Sequence, residues 1–207
     1  AYAKQQAMSL ECDNIEFIQG DILDLSKIGK QFDYIFCTGV LHHMNNPYQG
    51  WQVLREHLSP IGMMRISLYS AHARTLISMA RKIIADMGLK SNSEDIRSFR
   101  NILLSKKEHI ELKDILFSHD FYSMSGCRDL LFNVIEHQFI LPDIQRYLDQ
   151  SNLEFCGFDN LNPMIMSAFK EQFPEKTALT NLASWNEFEK QHTNLFSSMY
   201  QFWCEAK

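Results

Sequence analysis

Two hydrophobic periods alternate along this chain, and their order predicts its elements. Ile15, Phe17 and Ile18 alternate in part with polar positions, which predicts a strand over 15–18 broken by Gly20-Asp21. Phe32-Asp-Tyr-Ile-Phe-Cys-Thr38 predicts a second strand over 33–37. That run is apolar on both faces, as a central parallel strand requires. Asn46-Pro47 is a cap followed by a first-turn proline, and Trp51, Leu54 and Leu58 then recur at helical spacing. Ser59-Pro60-Ile61-Gly62 supplies a stop and turn before a strand at 63–68. The passage is a strand–helix–strand crossover, a unit that builds parallel sheets with a right-handed connection.

Beyond it, Ala73, Leu76, Ile77, Ala80, Ile83, Ile84 and Met87 form one stripe of a helix over about 71–87, ended by Gly88. Residues 91–138 read as wholly helical or loop, opening on a capping box at Ser91 and Glu94. A short helix at 141–148 and a strand at 153–158 follow. Asn162-Pro163 and Ser184-x-x-Glu187 start two more helices, and Met199-Tyr-Gln-Phe-Trp-Cys204 is an aromatic closing strand.

Composition narrows the class. The 207 residues are 45% hydrophobic, enough for a substantial core. A net charge of −5 with scattered Lys and Arg gives no footprint for a nucleic-acid backbone, so a small molecule or a protein is the expected partner. The odd number of widely spaced cysteines, Cys12, Cys37, Cys127, Cys156 and Cys204, suits free thiols in a reducing cytoplasm. No apolar run approaches the roughly 20 residues of a membrane span, and no metal-ligand spacing is present. The 10 Met and 15 Phe read as core filling.

Gly39-Val-Leu-His-His-Met-Asn-Asn-Pro47, directly after the second strand, resembles the fourth strand and following loop of a class I S-adenosylmethionine-dependent methyltransferase of the type 11/12-like kind. Asn14-Ile-Glu-Phe-Ile-Gln-Gly-Asp21-Ile-Leu-Asp24 resembles that family's third strand and adenine-binding loop. Pro60-Ile-Gly62-Met-Met-Arg-Ile-Ser-Leu-Tyr69 resembles its fifth strand. No Gly-x-Gly-x-Gly loop and no acidic strand end for the ribose hydroxyls occurs. In the resembled family both precede the helix that Ala1–Leu10 represents. The resemblance therefore implies a partial Rossmann-like α/β sheet, N-terminally truncated: the first two strands and the glycine loop are missing, a helical insertion follows the fifth strand, and the last strand is antiparallel. It divides the chain into a cofactor-binding core at 1–70, a helical substrate roof at 71–138 and the rest of the core at 139–207.

The resemblance implies S-adenosyl-L-methionine as cofactor. Asp21 would accept from the adenine amino group and the Ile22 amide would donate to the ring; the plainer role of Asp21 is to cap a short helix. Thr38, Gly39 and Val40 would line the crevice outside a parallel strand's carboxyl end, where such sheets bind ligands. His42 and His43 have the chemistry of general bases, or serve as lining and structural hydrogen-bonding groups. In the roof, Tyr122 or His137 could orient or deprotonate the acceptor, and Arg128 could clamp an acidic group on it. A salt bridge from Arg128 to Asp120, Asp129 or Glu136 is the alternative. Tyr69 is a further substrate-lining candidate, or an edge aromatic under the next helix.

Methyl transfer from a sulfonium needs positioning and water exclusion more than a dedicated nucleophile, so the absence of a triad or P-loop is compatible with it. The expected activity is methyl transfer to a small-molecule or protein acceptor, with the chain alone inactive for want of its glycine loop. Two other readings stand beside it: a non-catalytic interaction module or remnant whose helical roof is a docking surface, and a nicotinamide-dependent reductase on a similar sheet.

Overall fold

The computed structural model describes the chain apart from residues 1, 106–108, 160, 193–194 and 197–198. Ala1 of the expected first helix and residues 106–108 of the expected insertion thus lie outside the described residues. In chain order the elements are α1 (Tyr2–Ser9), β1 (Phe32–Thr38), α2 (Pro47–Glu56), β2 (Leu58–Tyr69), α3 (Thr75–Asp86), α4 (Ser93–Ser105) and α5 (Met124–Phe132). Then come α6 (Leu141–Gln150), β3 (Leu153–Phe158), α7 (Pro163–Gln172), α8 (Leu182–Gln191) and β4 (Met199–Ala206). The sheet runs β1-β2-β4-β3. β1 and β2 are parallel, and β4 is antiparallel to both its neighbours. The fold is therefore α/β and Rossmann-like, with the antiparallel closing strand that the resemblance implies.

One face of the sheet holds the core. Met64, Ile66 and Leu68 of β2 and Tyr200, Phe202 and Cys204 of β4 are fully buried, alternating along their strands. They pack with Trp51 and Leu54 of α2, Ile144 and Leu148 of α6, and Trp185 and Phe188 of α8. Trp51 has no exposed surface, so truncating it to Ala would cost about 3–5 kcal/mol. A second buried cluster joins Ile77, Ala80 and Ile84 of α3 to Phe99 and Leu103 of α4 and Leu130 and Leu131 of α5. The insertion after β2 thus has a core of its own. Its two ends meet where Ser70 bridges Phe139 in parallel.

On the other face β1 is open. Tyr34 is 63% exposed and Phe36 66%, with the Trp203 ring edge-on to Phe36, centroids 5.4 Å apart. Beside them Arg65 donates to Asp159 across 2.5 Å and to Gln201 across 2.6 Å. This corrects the expectation of a central strand at 33–37: in the described sheet β1 is the edge strand, hydrogen-bonded to β2 on one side. The strand expected at 15–18 is not formed: Ile15, Phe17 and Ile18 join no described sheet and are about half exposed.

Three other expectations shift. Ser59–Gly62 does not stop the chain. It is a wide bulge inside β2: Phe32 pairs Leu58, and the next partnered residues are Tyr34 and Met63. At Gly62 a Cβ would lie 2.7 Å from Leu58 Cδ1, so any larger residue there would have to displace the Leu58 side chain. Asn92, not Ser91, caps α4, its Oδ1 accepting from the amides of Glu94 and Asp95. Asn181 caps α8 ahead of Ser184, accepting from the amides of Ala183 and Ser184. Asn satisfies the orphan amides of a first turn as well as Ser does. All five cysteines are free thiols. Among the described residues no helix is long and apolar enough to cross a membrane, and no group of three or more His, Cys, Asp or Glu could hold a metal ion.

Candidate active site

The carboxyl end of β1 builds the site. Leaving the strand at Thr38, the chain turns through Gly39 at φ +75°, a left-handed conformation that L side chains rarely adopt. It then makes a one-turn 3-10 helix, Leu41–His43, and enters α2, where Asn46 Oδ1 caps the Gln49 amide and Pro47 opens the first turn. Opposite lies the Asp21 loop, whose carboxylate Oδ1 accepts from the Leu23 amide at 2.9 Å and so starts the 3-10 segment Ile22–Ile28. The capping role expected of Asp21 is present, and Asp21 remains exposed. Ile22 is the first residue of that turn, where an amide has no partner within the helix.

Two adjoining clefts share Asp21, Ile22 and Val40. One, of about 570 Å³, adds Gly39 and His43; the other, of about 1040 Å³, adds Thr38. All five residues predicted for the cofactor therefore converge on one region. Asn45 and Gln49 line the smaller cleft as well. Sequence reasoning passed over both because exposed amides after a turn carry no pattern of their own. Thr38 also faces the bare side of the sheet, its hydroxyl 3.3 Å from that of Ser67.

Behind the clefts stands a column of planar groups. His42 is fully buried and stacks on Tyr69, with centroids 3.9 Å apart and planes 28° from parallel. The Arg74 guanidinium lies 3.9 Å from the same ring centroid, so imidazole and guanidinium occupy opposite faces of the phenol. Neither ring nitrogen of His42 has a described partner. Burial, reinforced by the neighbouring His43, holds its pKa down to about 4, so it is neutral at physiological pH. Arg74 Nε donates to Glu136 Oε1 at 3.1 Å, and Arg81 Nη1 reaches Oε2 of the same carboxylate at 3.3 Å. Burial opposes ionisation of Glu136, but Arg74, Gln138 and Arg81 hold it below the ordinary carboxylate range.

His43 differs from its neighbour in every respect that matters for chemistry. It is half-buried and lines the smaller cleft. Its Nδ1 lies 2.9 Å from the Ile135 carbonyl and 3.2 Å from Asn133 Nδ2. The shorter contact assigns the proton to Nδ1 and leaves Nε2 as the lone-pair nitrogen. The His137 amide donates to the His42 carbonyl at 2.8 Å, so the returning segment of the insertion is fastened to the His-His turn at two points.

The remaining candidates are elsewhere. Tyr122 is 53% exposed and donates its hydroxyl to the Leu116 carbonyl. Arg128 is exposed, its Nε on the Ser91 carbonyl at 3.2 Å, and it pairs with none of the three carboxylates considered for it. The buried ion pair belongs to Arg74 and Glu136. Arg74 was missed because a lone Arg at a helix start carries no sequence signal. His137 meets the site through its backbone amide alone. Tyr69 is 7% exposed and lines a third cavity of about 410 Å³ beneath the insertion. Burial raises its pKa, with Arg74 opposing and Asp129, Glu136 and Asp120 adding to the rise.

A family model described as a methyltransferase domain matches residues 1–124. The chain belongs to the methyltransferase-domain family. Over 73 residues this methyltransferase domain is 36% identical to an uncharacterised protein of Synechococcus sp. (strain ATCC 27144 / PCC 6301 / SAUG 1402/1), a match covering 35% of the chain and 18% of that protein. Two solved structures of PKMT2 from Rickettsia typhi share its fold. One has a TM-score of 0.68 at 18% identity, covering 97% of this chain and 40% of that one. The other, in complex with AdoHcy, has a TM-score of 0.71 at 16% identity, covering 99% and 42%. The methyltransferase domain described here thus spans less than half the length of each of these relatives.

Proposed function

We propose that this chain carries one side of the active site of an S-adenosylmethionine-dependent methyltransferase acting on a small-molecule or protein acceptor. The observation that carries the reading is the convergence of Asp21, Ile22, Gly39, Val40 and His43 on one cleft at the carboxyl end of β1. The cofactor supplies a methyl group already activated on a sulfonium. The chain's own residues fit it. Asp21 Oδ2 is left for an amino group while Oδ1 caps the turn, the Ile22 amide is available to a ring nitrogen, and the left-handed Gly39 brings backbone close to a ligand. His43 Nε2 is the group placed to take a proton at the cleft. Residues 1–70 and 139–207 form the core in this reading, and 71–138 roof the acceptor side.

The bare face of β1 supports a second part of the proposal. Parallel strands are normally covered on both faces, and Tyr34, Phe36, Ile15 and Phe17 together leave an apolar surface open. In the working enzyme further strands and a glycine loop cover this edge and complete the cofactor site. The rival reading, an interaction module, places its docking surface on the helical roof at 71–138 instead.

Calorimetric titration of S-adenosylhomocysteine decides between them. It is titrated into this chain and into a version extended upstream by one strand–helix–strand unit, roughly 30 residues or more. Binding to the extended form with weak or no binding to the shorter one is expected. Binding to neither, with both folded, sinks the cofactor assignment and favours the module.

A further inference from the structure

His43 Nδ1 sits between an acceptor and a donor, and a neutral imidazole cannot satisfy both. The Ile135 carbonyl stands 2.9 Å from it and the Asn133 Nδ2 amino group 3.2 Å. A proton on Nδ1 answers the carbonyl and leaves two N–H groups facing each other. A lone pair on Nδ1 answers the amide and leaves two lone pairs facing each other. Turning the ring over is opposed by its neighbours, since it meets His42 edge-on at 4.4 Å and Tyr69 edge-on at 5.7 Å. The Asn133 amide is held from elsewhere. Its Nδ2 donates to Asp129 Oδ1 at 3.0 Å, and its Oδ1 accepts from the Ile135 amide at 3.4 Å. Reversing the amide would set its oxygen against a carboxylate and its amino group against an N–H. The backbone beneath it is anchored as well, with Arg81 Nη2 donating to the Asn133 carbonyl at 2.5 Å.

We propose that Asn133, oriented by Asp129, is a positioning residue that sets the tautomer of His43, and with it whether Nε2 meets the cleft as a base or as a donor. The shorter contact, to Ile135, makes Nδ1–H the major form, with the Nε2 lone pair free to take a proton. Asn133 supports the minor form, in which Nδ1 accepts and Nε2 carries the hydrogen. Each contact contributes one hydrogen bond, so removing either moves the balance several-fold. Asp129, in the last turn of α5, acts one step further out by keeping the amino group of Asn133, and not its oxygen, towards the ring. The bond made by one ring nitrogen decides which nitrogen of an imidazole is protonated. The inference rests on the methyltransferase reading for placing His43 in a cofactor cleft, while the tautomer balance stands on the contacts alone. A plain helix-end role for Asn133, bonding only back to Asp129, would leave the ring indifferent to it.

The test is nitrogen NMR of the histidine rings in the labelled chain, at mildly alkaline pH, where an imidazole is neutral. Asn133→Ala should move the His43 Nδ1 signal towards the protonated position and Nε2 towards the lone-pair position. The ratio of Nδ1–H to Nε2–H should rise about five-fold, the worth of one hydrogen bond. Asp129→Ala should act in the same direction, because the freed Asn133 amide can turn its oxygen to Nδ1–H. Asp129 is exposed, so this second variant keeps the test available should Asn133→Ala not fold. His42 is the internal reference, since neither of its ring nitrogens has a described partner. Unchanged His43 signals in either folded variant, a move towards Nε2–H, or an equal move of the His42 signals would overturn the proposal. S-adenosylhomocysteine titration into the extended chain tells the two readings apart. If it binds and the His43 signals do not move, the positioning inference fails by itself; if the signals move and it does not bind, Asn133 still sets the tautomer and the cofactor reading of the cleft falls.

Discussion

His42 lies flat against Tyr69, ring centroids 3.9 Å apart, with both of its nitrogens buried and without described partners. A buried polar atom without a partner costs about 1–3 kcal/mol. Replacing His42 with Phe should keep the stack, remove that cost and leave stability unchanged or raised by about 1 kcal/mol. Urea unfolding measures it. A loss above about 2 kcal/mol would mean that the imidazole nitrogens make a bond the fold depends on.

The same residue sets an acid limit. Its folded pKa of about 4 lies below the ordinary 6.5, so the unfolded chain takes up a proton first as pH falls. Stability attributable to His42 is complete above about pH 6.5 and is lost progressively towards pH 4, by roughly 3 kcal/mol in all. Glu189 titrates in the opposite sense, since burial raises its pKa despite bonds from Tyr200 and Ser70; the difference between the native chain and His42→Phe isolates the histidine. Parallel pH curves for the two would contradict the assignment.

Much of this was legible in the sequence, for identifiable reasons. The strands at 33–37 and 63–68 could be read because their runs are apolar nearly throughout, although β1 turns out to leave one of its faces open. The convergence of Asp21, Ile22, Thr38, Gly39 and Val40 on adjoining clefts could be read because a turn after such a strand falls at the carboxyl end of the sheet whatever its neighbours do. Arg74 and its partner Glu136 could not. Their meaning arises only when α3 and the insertion fold back on Tyr69, a tertiary event with no local period. Arg128 attracted notice because it stood among other charges, but α5 turns it outward to Ser91.

Arg74 and Glu136 make a buried ion pair, their side chains 4% and 1% exposed. Breaking such a pair from one side leaves an unmatched buried charge. Arg74→Met alone should cost about 3–5 kcal/mol, and adding Glu136→Gln should recover part of that. A double-mutant cycle by guanidinium unfolding provides the number. Additive losses would show the pair to be uncoupled.

Asp21 has a capping role and a proposed binding role, and two substitutions separate them. Asn caps nearly as well as Asp, so Asp21→Asn should leave stability within about 0.5 kcal/mol while weakening S-adenosylhomocysteine binding to the extended chain. Asp21→Ala should weaken binding and also cost about 1 kcal/mol of stability. Full affinity in the Asn variant would confine Asp21 to capping.

Ser70 and Phe139 are neighbours in a parallel bridge, although sixty-eight residues of chain separate them along the sequence. The insertion therefore leaves and re-enters the fold at one point, has its own apolar cluster, and is tied to the His-His turn through the Ile135 carbonyl and the His137 amide. Such a segment is an exchangeable cassette. Replaced wholesale, with a carbonyl and an amide still returned to the His-His turn, it would change what lies over Tyr69 without disturbing the turn through Gly39.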